Sequence, residues 1–319
     1  MKTKITENNN KIEFHYIFND DTIHSIDAFT RNNCDKEFLN LIKTSSSDLG
    51  INLTVTTESK KEGSLIDIYN FLVSQNGLSL AVWGTFLLKV FKYVFPIKSK
   101  DDSEAAKLAN EKSLLELIKQ AKEIEESGIP VPTNIQKRLE KIYSSRKIKK
   151  QKSNFFKKLT NEKQIKTFEV LTSSPMEEKV LFSIPKTIFK EYYLDSDNLD
   201  PLIDNSAEIE IISPVLKNGN YSWRGIYIKE NLSHEYTMKD KEFKKKVIEE
   251  GIPFQNGTRL ECELEICRKL DENGDEYNSS YKINKVFNQY IGEAVIEMPS
   301  GKKRRLKKEL EDSQPSLFD

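Results

Sequence analysis

Six carboxylates crowd one short stretch of the chain: Asp195, Asp197, Asp200, Asp204, Glu208 and Glu210. Metal-dependent nucleases hold one or two divalent cations against a phosphate with convergent carboxylates, so the stretch is the first place to look for catalysis. Such sites usually carry a lysine close by, and no Glu-x-Lys follows here. Asp195 to Asp204 is interspersed with Ser, Asn, Leu and Pro, a turn composition, and reads as a solvated loop. Glu261, Glu263 and Glu265 alternate along a strand pattern and share one face. Leu260, Cys262, Leu264 and Ile266 fill the other, which makes the glutamate face the wet side of a half-buried sheet.

Other reactive groups are sparse. Gly-x-Ser-x-Gly, a Walker loop and Gly-x-Gly-x-x-Gly are all absent from the sequence. His15 lies in a strand pattern, His24 at the start of a helix, and His234 in a loop beside charged residues, a set that does not suit a histidine-rich metal site. Cys34 sits in an amphipathic helical stretch and reads as a small core residue. The odd cysteine count, with Cys262 and Cys267, argues against a disulfide framework and fits a reducing, cytoplasmic setting. The sequence therefore points away from catalysis and implies no metal and no cofactor; a divalent-metal nuclease built on the acidic stretch is the weakest reading.

The elements that must position any site follow from periodicity. The 319 residues carry 50 Lys plus Arg against 50 Asp plus Glu, a balance that conceals strong local segregation. Ile12–Phe18 and Ile51–Thr57 read as strands flanking a helix over Asp27–Lys43. From Ile68 to Leu88 there is no charge, and Ser74–Gly77 splits this run into a short apolar helix and a longer one over Leu78–Phe95. Lys98–Ser127 is a charged helix ended by Gly128, Pro130 and Pro132. From Phe168 the pattern turns to strands: FEVL, KVLFSI, AEIEIISPVL, YSWRGIYI, TRLECELEIC, YKINKVF and EAVIEM, with a helix over Lys239–Glu250. Hairpin turns are expected at Lys217–Asn220 and Asp271–Asp275.

This predicts an α+β protein in four parts. Residues 1–97 form a small α/β unit with an apolar helical hairpin, and 98–166 a charged helical connector with a basic arm. Residues 167–300 form a β-rich domain of barrel or sandwich type, and 301–319 a basic flexible tail. The Leu78–Phe95 helix approaches the ~20 residues that span a bilayer, but Lys89 and Lys92 interrupt it. It suits a core helix, a homo-oligomer contact or a membrane interface.

Two basic segments suit phosphate contact. Lys137–Lys166 carries twelve Lys or Arg against two Glu, with Arg146, Lys147, Lys149, Lys150 and Lys152 at its centre and Phe155 and Phe156 placed to stack on bases or to dock the arm. Lys302, Lys303, Arg304 and Arg305 open a second run. Beyond it the chain ends Ser313-Gln-Pro-Ser-Leu-Phe-Asp319. Gln314, Ser316, Leu317 and Phe318 resemble the short peptide by which bacterial replication and repair proteins dock on the DNA sliding clamp. The resemblance covers five residues and says nothing of the folded domains; Pro315 departs from the Leu common at the second position. It implies that Gln314 enters a polar end of the clamp groove while Leu317 and Phe318 fill an apolar pocket. Together these features predict a non-catalytic, DNA-associated accessory protein in replication, repair or defence against foreign DNA. The alternative is a peripheral inner-membrane sensor anchored by Leu78–Phe95 and the basic arm.

Overall fold

The computed structural model describes residues 11–20, 22, 25–57, 66–73, 80–99, 103–174 and 177–312. They fall into two compact units, residues 1–196 with 272–275, and residues 197–271 with 276–319.

The first unit is built on an antiparallel sheet of β1 (Lys11–Phe18), β2 (Leu53–Thr57), β3 (Ile66–Val73), β4 (Ile165–Ser174) and β5 (Glu177–Pro185). Their order is β2-β3-β1-β4-β5. Alternation in β1 puts Ile12, Phe14 and Tyr16 on one face, all buried. The helices are α1 (Ala28–Leu49), α2 (Leu80–Val94), α3 (Glu104–Glu126), α4 (Ile135–Ser144) and α5 (Arg146–Thr160). Asp27 caps α1 by accepting from the Thr30 N–H at 2.8 Å, and Gly50 ends it at φ 76°. Phe14 meets Phe38 of α1 at 4.1 Å between ring centroids and Phe168 of β4 at 5.1 Å. Phe38 meets Phe91 of α2, and Phe168 meets Phe155 of α5. One aromatic cluster thus joins the sheet to three helices, and burial of each ring contributes roughly 1.5–3 kcal/mol.

Two expectations change here and one narrows. Ile68–Val73 is not a helix but part of β3, paired with β1 on one side and β2 on the other. An interior strand hydrogen-bonded on both edges needs no charge, so its composition resembles that of an apolar helix. FEVL and KVLFSI do form strands, but β4 pairs along all of β1, from Lys11 opposite Ser173 to Phe18 opposite Ile165. The first unit therefore absorbs the connector and runs to Ser196. The long apolar helix is a core helix, since Trp83, Phe86, Val90, Phe91, Val94 and Phe95 are buried. Among the described residues no helix is long and apolar enough to cross a membrane. His24 lies outside the described residues.

The second unit is a closed β-barrel. Its elements are β6 (Asn198–Ser213), β7 (Trp223–Tyr227), β8 (Leu232–Met238), α6 (Lys241–Glu249), β9 (Arg259–Leu270), β10 (Glu276–Ile291), β11 (Ala294–Glu297) and α7 (Pro299–Asp312). Strands β10-β8-β7-β6-β9 are paired in that order and β9 returns to β10. The β8–β10 pair is parallel and the others are antiparallel. Five strands in the order first, second, third, fifth, fourth, with a helix between the third and fourth, close a mixed barrel. That architecture hosts many functions, so function must be argued from the surface. Trp223, Tyr227, Tyr236, Leu260, Leu264 and Ile283 fill the interior. At Gly225 of β7 a Cβ would lie 2.6 Å from the Glu210 carbonyl oxygen, so only glycine permits this approach of β7 to β6.

Three more expectations are corrected in this unit. Of Asp195 to Asp204, only Asp195–Asp197 is a loop; from Asn198 the chain is in β6, where bulges at Leu199–Leu202 and Asp204–Ala207 break the alternation that would have announced a strand. His234 lies in β8, its ring stacked on Tyr281 at 4.0 Å, not in a loop. Residues 301–312 are helical. Pro299 supplies the preset φ of a first helical position for α7, and buried Met298 anchors its start.

Candidate nucleic-acid interface

Two elements of the barrel unit, α6 and α7, meet β10 around a groove of about 560 Å³. Asp240 organises it. One carboxylate oxygen caps α6 by accepting from the Phe243 N–H at 2.9 Å. The other accepts from the Val286 N–H of β10 at 2.9 Å and the Ser300 hydroxyl of α7 at 3.2 Å. A single buried side chain thus ties the three walls together, with its charge met by three donors.

Gly301 sets how closely α7 approaches. A Cβ there would fall inside contact distance of the Phe287 carbonyl oxygen, a backbone atom that cannot swing away. Gly301→Ala is therefore expected to lift the first turn of α7 at a cost of about 1–2 kcal/mol. Faster tryptic cleavage between 302 and 308, with the barrel fold retained by circular dichroism, is the measurement that checks it.

Six basic side chains, Lys239, Lys241, Lys285, Lys303, Arg304 and Lys307, line the groove against three acidic ones, Asp240, Glu242 and Glu263. Glu242 pairs with Lys303 and Glu263 with Lys285. Among the described residues Lys239 and Lys241 have no carboxylate partner, and both are exposed. Arg304 lies with its guanidinium 4.3 Å from the centroid of the Phe287 ring and pairs with Glu261 at 3.1 Å. The lining is a cationic surface that matches a polyanion.

Of the sequence-predicted contact residues, the groove gathers Lys303 and Arg304. Lys302 is exposed on the same helix, and Arg305 points to Glu297 and Glu309, where it holds the Glu297 carboxyl below the usual carboxylate range. The other set sits on α5 of the first unit and is largely committed to the fold. Lys152 is 1% exposed, Lys150 is buried and Lys149 half-buried. Lys147 pairs with Asp275 and Arg146 donates to the Ser196 carbonyl. Phe155 and Phe156 are core residues and cannot stack on bases. The reason is the helical stripe Ile148, Gln151, Lys152, Phe155, Phe156, Leu159, which faces inward and takes Lys152 with it. Gln314, Ser316, Leu317 and Phe318 lie outside the described residues.

The acidic stretch does not converge. Asp204 accepts from the Tyr227 hydroxyl, which holds its carboxyl below the ordinary value, and Glu208 pairs with Arg259. Among the described residues no group of three His, Cys, Asp or Glu side chains could hold a metal ion. On β9 each glutamate has partners. Lys282 and Asn284 hold Glu265 down at about 2, and Glu261 accepts from Asn288, Tyr290 and Arg304.

No family model, curated protein or solved structure matches this chain. Any functional reading therefore has to start from the surface, where the groove is the best-defined feature on the barrel unit. Sequence reasoning missed Lys239 and Lys241, which flank Asp240 at the start of α6, and Lys285 of β10, because they lie far apart in sequence from one another and from α7. Only the fold brings them beside Lys303 and Arg304.

Proposed function

We propose that the chain is a non-catalytic, DNA-associated accessory protein that contacts phosphates through the α6–β10–α7 groove and is recruited by a sliding-clamp-type docking peptide at its C-terminus. Such a protein would serve replication, repair or defence against foreign DNA. The observation that carries the reading is the surplus of cations around the groove, six basic against three acidic side chains, with Asp240 already consumed by three internal donors. Cations held on a folded frame lose little freedom when they meet a phosphate chain, and each one that neutralises a phosphate releases a counterion. A membrane-anchored sensor is less well supported, because the apolar side chains it would insert from α2 are spent in the core of the first unit.

The test is fluorescence anisotropy of a labelled oligonucleotide titrated with wild type and with Lys239→Gln/Lys241→Gln/Lys307→Gln at several salt concentrations. The variant is expected to bind at least about tenfold more weakly and to lose about two units from its log–log salt slope. Equal affinities and slopes would remove the groove from any role with nucleic acid.

A further inference from the structure

Arg304 differs from the other cations of the groove. Its guanidinium is planar, lies over the buried ring of Phe287 at 4.3 Å, and is held at its edge by Glu261 at 3.1 Å. A side chain packed over a ring and tethered by an ion pair has little rotational freedom left. Its side chain is nonetheless 47% exposed, and it lines the groove beside Phe287. The result is a flat, positively charged platform with fixed orientation. Lys303 and Lys307 stand one residue before and three after it on α7, with Lys241 on the opposing wall.

We infer that the groove is a single-strand site in which one unpaired nucleobase stacks on the Arg304 guanidinium while the surrounding lysines hold the flanking phosphates. The inference rests on the nucleic-acid reading of the groove and names its substrate class. A duplex keeps its base faces inside its own stack, whereas a single strand can present them, and guanidinium planes are surfaces on which splayed bases settle. A lysine in the same place would supply the charge but no plane.

The experiment uses the full chain and a twelve-nucleotide DNA carrying one 2-aminopurine, free or annealed to its complement. Wild type should bind the single strand at least about tenfold more tightly than the duplex and quench the 2-aminopurine on binding. Arg304→Lys, which preserves charge, should lose about fivefold or more in single-strand affinity and most of the quenching, with the salt slope unchanged. A matched thermal melt of the variant controls for folding. Equal affinity for single strand and duplex, or Arg304→Lys behaving as wild type, would overturn the single-strand inference while leaving a phosphate-binding groove. Failure of wild type to bind either form would overturn the groove reading and this inference with it.

Discussion

Replacing Lys152 by Ala is expected to destabilise the first unit by about 3–5 kcal/mol, because it removes a buried four-carbon stem and the donor that serves two backbone carbonyls. Lys152 is 1% exposed and donates from Nζ to the Val94 carbonyl at 3.0 Å and to the Ile97 carbonyl at 2.7 Å. Those carbonyls lie at the C-terminal end of α2, where a helix has unpaired acceptors and a negative dipole end. Tyr192 serves the intervening Pro96 carbonyl, so the whole turn after α2 is held by side chains from other elements. The cost of this arrangement is burial of an amine with no carboxylate bonded to it. Burial, reinforced by the charge of Lys149, pushes the Lys152 ammonium down to about 7.

The pH dependence follows in sign. Between about 7 and the ordinary lysine value of about 10.4, the unfolded chain binds a proton at this site that the folded one does not, so stability rises with pH across that window. The rise approaches about 1.4 kcal/mol per pH unit within it. Below about 7 both states are protonated, and the folded protein bears the full penalty of a buried ammonium. Lys152→Met, which keeps most of the stem and cannot titrate, should lose this rise. The two tryptophans fall one in each unit, so Trp223→Phe leaves Trp83 as the reporter for denaturant melts of the first unit from about pH 6 to 10, a range that spans the lower edge and most of the window. Superimposable pH profiles for the parent and the Lys152→Met chain would contradict the account, as would a Lys152→Ala chain whose stability lies within about 1 kcal/mol of the parent.

Lys152 also shows where sequence reading reached its limit. The segment around it has the strongest charge excess in the chain, and charge density suggests a solvated, phosphate-binding arm. The competing signal was present: Ile148, Phe155, Phe156 and Leu159 recur at helical spacing, and Lys152 falls on their stripe. Charge and periodicity disagreed, and periodicity decided the structure because burying two phenylalanines outweighs leaving one lysine stem in water. The strands were legible wherever alternation was clean, as in β9, with Leu260, Cys262, Leu264 and Ile266 inside and three glutamates outside. Bulges and Pro201 hid the first half of β6, whose second half was read from Ala207 onward, and the Ser-His-Glu composition of Leu232–Met238 hid β8. What could not be read at all was long-range pairing. Nothing local to Phe168 indicates that β4 will lie beside β1, and nothing local to Lys239 or Lys285 indicates that they will face α7. The candidate groove is a product of that closure, which is why its residues appear in no linear motif.

Recruitment is the second place where a large effect is expected. α7 is tied to the barrel through Gly301, Ser300 and the ion pairs of Lys303, Arg304 and Arg305, and its charged remainder, through Asp312, presents Leu306 and Leu310 to solvent. The chain then continues as Ser313-Gln-Pro-Ser-Leu-Phe-Asp319. If these residues dock on a sliding clamp, most of the binding energy should come from Leu317 and Phe318, because a few apolar anchors filling a pocket usually dominate such an interface. Leu317→Ala/Phe318→Ala should then cost at least ~2 kcal/mol, a loss of roughly thirtyfold in affinity. If the pair serves docking alone, the melting temperature should stay within about 1 °C of the parent. Calorimetric titration of a purified bacterial sliding clamp with both proteins, beside thermal melts of each, measures the two quantities separately. No wild-type binding at tens of micromolar would end the clamp reading and leave the groove to stand alone. A double variant that melts markedly lower would instead assign the Leu-Phe pair to the fold of its own chain.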